Sequence, residues 1–214
     1  FELKTVQSSA FRILVEALKE ILVDANLECD ETGIKMIAMD SSHTVLAHLK
    51  LHSDKFEYYK CTEKRNLGIN MINFFRIIKT MNNSDTLTLF LEKENDSVLG
   101  VKIENSEKNT TSTFYLNLMD LTIETFSIPP AAFESVITMP ATDFQKIIRD
   151  MHNYADYIDI KSVEEHLIFS CKGDFCSQET VIGETQEGMN IVKHQKPDQI
   201  IQGIFALKHL VLFG

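Results

Sequence analysis

Apolar residues recur at steps of three and four from Phe11 to Leu22, where Phe11, Leu14, Val15, Leu18, Ile21 and Leu22 fall on one stripe. This spacing predicts an amphipathic helix, with Ser8-Ser9 offering the cap and Arg12 and Lys19 lying off the stripe. Phe1 to Val6 alternates ahead of it as a half-buried strand does. From Asn26 the period becomes two, through NLECD, the turn residues Glu31-Thr32-Gly33, IKMIAMD, HTVLAHLKL and FEYYKC, which predicts an antiparallel meander. A short strand at 67–70 leads into a second helix, MINFFRIIKTM, which Asn82-Asn83-Ser84-Asp85 ends. TLTLFLE, SVLGVKIE and TFYLNL then resume alternation.

The order then repeats. FESVITM reads as a strand, Pro140 stands at a helix start, ATDFQKIIRDMH is helical, and YIDIKS, HLIFSC and CSQETVI are strands before a last short helix, FALKHLVLF. Between the two halves lies LNLMDLTIETFSIPP at 116–130. Its paired prolines stop any helix or central strand, and its apolar content exceeds what a solvent-exposed linker needs. Such a linker is expected to lie down on the protein.

With 214 residues, 44% of them hydrophobic, the chain can bury a core in one large domain or two smaller ones. No run approaches the roughly 20 apolar residues of a membrane span, and FELKTVQSSA has no leader pattern, which points to a soluble intracellular protein. Cys29, Cys61, Cys171 and Cys176 have neither C-x-x-C pairing nor histidines at zinc spacing, so they read as reduced thiols.

The net charge of -10 argues against wrapping nucleic acid, yet its distribution changes that picture. The helical stretches carry Arg12, Lys19, Arg76, Lys79, Lys146, Arg149 and Lys208 against Glu16, Glu20, Asp143 and Asp150, so basic helices sit within an otherwise acidic chain. Pattern alone leaves open whether these cations meet phosphate or merely solvate helix faces. Asp40, Ser41, Ser42 and His43 contain the residue types of a hydrolase, but no G-x-S-x-G elbow surrounds them, and a turn with Asp40 accepting backbone hydrogen bonds is the better reading.

Four segments carry a resemblance: FELKTVQSSAFRILVEALKEIL at the N-terminus, AMDSSHTVLAHL at 38–49, LMDL with the following IP at 118–129, and MPATDFQKIIRD at 139–150. In order and over nearly the whole chain, they resemble the sliding clamps of the proliferating cell nuclear antigen family, from a viral or divergent eukaryotic source. The resemblance implies an α+β DNA-clamp fold of two similar domains, each with two helices on antiparallel sheet. Domain one would span 1–117, an interdomain connector 118–133 and domain two 134–214, without the family's closing C-terminal strands.

It also implies a non-enzymatic homotrimeric ring around duplex DNA, with no cofactor, metal or membrane, in a nucleus or viral replication compartment. The seven helical cations named above would face DNA. Met39, His43, Thr44, Leu46, Phe126, Ile128 and Phe133 would form a pocket for the short peptide motif of a polymerase, clamp loader, ligase or nuclease. Thr44 departs from a commonly aliphatic position, and Phe126 and Phe133 from the familiar Leu and Tyr. Edge strands at 111–117 and 176–182 would join subunits, with Phe114, Ile148 and Met151 at the interface. A checkpoint-type mixed ring and a non-ring viral processivity factor are the alternatives.

Overall fold

The computed structural model describes residues 1–92, 95–122, 133, 135–193 and 200–213. The chain divides into two compact units, Phe1–Ser127 and Ile128–Gly214. Unit 1 runs β1 (Glu2–Thr5), α1 (Ser8–Lys19), β2 (Asp24–Asp30), β3 (Gly33–Met39), β4 (Leu46–His52), β5 (Tyr58–Lys60), β6 (Arg65–Asn70), α2 (Met71–Ile78), β7 (Thr86–Glu92), β8 (Asn95–Asn105) and β9 (Thr110–Asn117). Two antiparallel sheets result, in the orders β4-β3-β2-β6 and β5-β1-β7-β8-β9.

The helices are held by the stripe that the sequence presents. Phe11, Val15 and Leu18 of α1 are buried, as are Met71, Phe74 and Ile78 of α2, and the Phe11 and Phe74 rings meet edge to face with centroids 6.2 Å apart. Each such side chain contributes about 1.5–3 kcal/mol through burial. The helix stops at Lys19, although Ile21 and Leu22 remain buried beyond it. Ser8 is not a cap. Gln7 holds that position, and the buried Ser8 hydroxyl reaches the carbonyls of Asn82 (3.1 Å) and Asn83 (3.3 Å) across the unit.

One strand of the expected meander goes elsewhere. After the 3-10 turn Ser53–Lys55, β5 leaves the β4 sheet and pairs with β1 on the side opposite β7. Alternation marks a half-buried strand but does not encode which edge it seeks. The Tyr59 hydroxyl, within 2.7 Å of the Asp30 carbonyl and 2.8 Å of that of Gly33, ties β5 to the β2–β3 turn.

A polar cluster closes the loop after α2. Asp85, almost fully buried, accepts hydrogen bonds from the Asn82 backbone (2.8 Å) and side chain (3.2 Å) and from Asn105 Nδ2 (2.5 Å). Burial pushes its pKa up, but these donors outweigh it and hold the carboxyl below the usual aspartate value.

Unit 2 contains β10 (Ser135–Thr138), α3 (Ala141–His152), β11 (Tyr157–Val163), β12 (His166–Lys172), β13 (Ser177–Gly183), β14 (Asn190–Lys193), β15 (Ile201–Ala206) and α4 (Leu207–Phe213). The strand β14 was not anticipated, and Phe205–Ala206, assigned above to the last helix, closes β15 instead. Ile148, Met151, Ile158, Leu167, Phe169 and Leu207 form the buried core.

The sheet order β13-β12-β11-β15 reproduces β4-β3-β2-β6, and the pair β10-β14 reproduces β1-β5. The internal repeat is therefore structural. In unit 1, β1 has β7 on its second side. Its counterpart β10 has β14 as its one neighbour among the described residues.

Candidate functional site

The helical cations divide into two groups. Arg12 turns back into the protein: Nη1 donates to the Met81 carbonyl at 2.7 Å and Nη2 to Asn83 Oδ1 at 3.1 Å. Lys19 pairs with Glu20 and lies over the Phe75 ring, 4.8 Å from its centroid, leaving its side chain only 19% exposed. Arg76 on α2, Lys79 at its C-terminal cap, Lys146 and Arg149 on α3 and Lys208 on α4 are exposed and form no ion pair among the described residues. Arg76 makes one long hydrogen bond, 3.3 Å to Asn73 Oδ1. The outward side of α1 instead carries Ile13 and Glu16, with Glu20 at its C-terminal cap.

This division yields a prediction. Arg12→Ala is expected to lower stability by about 1–2 kcal/mol, because a charged donor leaves a loop carbonyl without its partner. Chemical denaturation would detect the loss. An unchanged midpoint would show that Arg12 is free to act elsewhere.

The second candidate region lies at the β3–β4 connection. Asp40 organises this loop: its carboxylate accepts from the Thr44 N–H (2.8 Å), the Val45 N–H (2.7 Å), the Ser42 N–H (3.3 Å) and the Ser42 hydroxyl. The Ser42 hydroxyl first, then the Val45 N–H, with lesser help from the Thr44 and Ser42 N–H groups, holds Asp40 well below the ordinary carboxylate range. His43 adopts the left-handed conformation with φ of 55°, and its side chain and that of Thr44 are exposed. With its carboxylate engaged by the loop's own donors, Asp40 acts as a turn former.

Strand register fixes what shares a face with this loop. Met39 pairs with Leu46, Lys35 with Glu28, and Asn26 with Gly68. Because side chains alternate, Met39, Leu46, Asn26 and the Gly68 Cα hydrogens all belong to the solvent side of the sheet, while Leu27, Met36 and Ile69 face the core. Leu46 is partly open, at 40% exposure.

The segment 118–122 lands on this same face. Leu118 N–H still pairs with the Ser97 carbonyl (2.9 Å) on β8 of the other sheet; the landing itself is made by Met119 N–H, which donates to the Gly68 carbonyl (2.8 Å), and by Asn26 Nδ2, which donates to the Thr122 carbonyl (3.4 Å). Phe126 and Ile128 lie outside the described residues. Phe133 belongs to unit 2, where it is 70% exposed.

At the strand edges, β9 exposes Thr111, Thr113 and Tyr115, with Phe114 half-buried. In the other unit β13 is a terminal strand and exposes Glu179 and Val181. Ile148 and Met151 are wholly enclosed in the unit 2 core and present no surface. Tyr154 and Phe175 were overlooked in the sequence: their rings meet edge to face at 5.9 Å beside the start of β13, and Phe175 is 76% exposed. Their signal was an aromatic residue in each of two polar turns.

Two repeated units, each with a pair of helices and an antiparallel sheet, define a two-domain clamp fold. The family model described as proliferating cell nuclear antigen, N-terminal domain, matches residues 1–125, and that for the C-terminal domain matches residues 127–214. The chain is 32% identical over 217 residues to a probable DNA polymerase sliding clamp 1 of Paramecium bursaria Chlorella virus 1, covering 100% of this chain and 82% of the relative. It is 30% identical over 217 residues to a proliferating cell nuclear antigen of Chaetomium thermophilum, covering 99% of this chain and 82% of that protein. The chain belongs to the proliferating cell nuclear antigen family and is a sliding clamp.

Proposed function

We propose that the chain is a polymerase processivity factor that surrounds duplex DNA as a head-to-tail homotrimer and holds partner proteins on the face shared by Met39 and Leu46. The observation that carries this reading is the segregation of charge. Arg76, Lys79, Lys146, Arg149 and Lys208 are exposed helix cations in a chain of net charge -10. Such helices attract the phosphate backbone without reading bases, while the acidic remainder discourages DNA from binding elsewhere. Retention is topological, so loose and salt-sensitive contacts suffice. The protein acts by tethering, not by catalysis.

Strand edges supply the means of assembly. β9 of one copy pairs with β13 of the next, a heterologous contact that closes when its rotation divides the circle. Phe114 supports the β9 edge from its inner face, and Tyr154 with Phe175 flanks the β13 edge. Residues 118–133 serve as connector, and the peptide motif of a polymerase, clamp loader, ligase or nuclease docks between it and the Asp40 loop, in a nucleus or viral replication compartment. Light scattering on the gel-filtration peak of the full-length protein tests the ring. The expected mass is that of three copies, and a monomer at micromolar concentration would overturn it.

A further inference from the structure

We infer that Gly68 and Asn26 are positioning residues for partner binding: they fix where the connector crosses the sheet and so set the shape of the partner pocket. The inference rests on the proposed pocket, while the contacts that carry it, among Gly68, Asn26, Met119 and Thr122, lie outside the residues assigned to that pocket. A Cβ built on Gly68 would fall 2.1 Å from the Met119 carbonyl oxygen and 3.2 Å from Leu121 Cγ. Contact with a backbone oxygen at that distance cannot be relieved by a rotamer change. The connector backbone therefore lies on the sheet where a side chain would otherwise stand.

A single antiparallel bridge between Gly68 and Met119 sets the register at this crossing. The next attachment is one strand over, where Asn26, the paired neighbour of Gly68, reaches Thr122. Met119 is thus held on β6 by its bridge and Thr122 is drawn over the adjacent strand by one long hydrogen bond, which directs the chain over β2 as it leaves the β6 edge. Since Asn26 and Gly68 share their face with Met39 and Leu46, the crossing is directed over the surface that the peptide must meet. A pocket built from two chain segments keeps its shape only if their separation is fixed, and a ligand then pays less to order it.

The roles separate experimentally. Gly68→Ala displaces the Met119 carbonyl, and Asn26→Asp replaces the donor to Thr122 with an acceptor while leaving the β2 backbone intact. Binding is measured by calorimetry with a synthetic peptide carrying the family's aliphatic and aromatic clamp-binding motif. Hydrogen exchange at the Leu118 and Met119 amides is followed in parallel, with melting temperature and trimer mass on the same samples.

Both variants are expected to raise the peptide dissociation constant about tenfold, with trimer mass retained. Exchange at Met119 should become faster in Gly68→Ala. Wild-type affinity in both variants, with the Met119 amide exchanging faster in Gly68→Ala, would overturn the inference and leave the pocket reading standing. If Gly68→Ala does not fold, Asn26→Asp decides alone, and unchanged affinity there refutes it. A wild-type protein that binds no motif peptide, or whose affinity is untouched by Leu46→Ala, would overturn the pocket reading itself.

Discussion

Reversing three exposed cations together, Arg76→Glu, Lys79→Glu and Arg149→Glu, is expected to abolish processive DNA synthesis while leaving assembly and thermal unfolding essentially unchanged. None of the three has a salt-bridge partner among the described residues, so reversal strands no buried charge. Exposed substitutions of this kind usually change stability by about 0.5 kcal/mol or less. A homotrimer would repeat each change three times around the DNA. Each phosphate no longer neutralised should make the slope of log affinity against log salt shallower by about 0.9. Primer extension on a long template gives the functional result, and a salt titration gives the slope. Full processivity in the triple variant would remove DNA from this surface.

Asp85→Ala is expected to produce the largest loss of stability. The substitution leaves three donors, the Asn82 N–H, Asn82 Nδ2 and Asn105 Nδ2, without their shared acceptor. Asn105 Nδ2 is buried and the two Asn82 donors are partly buried; a stranded buried donor costs about 1–3 kcal/mol, so the unfolding free energy should fall by about 2 kcal/mol. Because the folded pKa lies below the unfolded value of about 3.9, the Asp85 contribution is complete above that value and is lost as pH falls through the folded pKa. Asp85→Asn should therefore flatten the acid limb of melting temperature against pH, below about pH 4, while costing stability at neutral pH. An acid limb identical to wild type would show that Asp85 carries no such linkage.

The two helices of unit 1, their apolar stripe and most strands were legible because local periodicity is sufficient to assign them. Connectivity was less so. FEYYKC has the alternation of any half-buried strand, and nothing in six residues says that Tyr58–Lys60 abandons one sheet for another. Asn190–Lys193 is too short to announce itself, and Ile201–Ala206 merges with the apolar run of the helix that follows. Ser8 has the chemistry of a cap, but its actual partners are more than 70 residues away in the chain, where no local rule applies.

The candidate DNA surface was legible in composition and not in direction. Arg12 and Arg76 look equivalent in the sequence, both off the apolar stripe of an amphipathic helix. The difference comes from the 81–83 loop, whose carbonyl and amide oxygens capture Arg12, whereas Arg76 makes one long bond, 3.3 Å to Asn73 Oδ1 on its own helix, among the described residues. Likewise, the apolar character of 116–130 led to the expectation that the segment lies against the protein, which holds for the described residues 118–122, but not to the finding that a glycine on β6 makes the landing place. A missing side chain leaves no hydropathy signal.

Asp40 places different demands on two neighbouring positions. Its carboxylate holds the Ser42, Thr44 and Val45 N–H groups, and the Thr44 hydroxyl joins the same network, 2.8 Å from the Ser42 hydroxyl and 3.5 Å from Asp40 Oδ2, whereas the His43 side chain makes no hydrogen bond among the described residues. A new side chain at 43 need therefore only tolerate the left-handed backbone, whereas losing the hydroxyl at 44 removes one member of the network that shapes the loop.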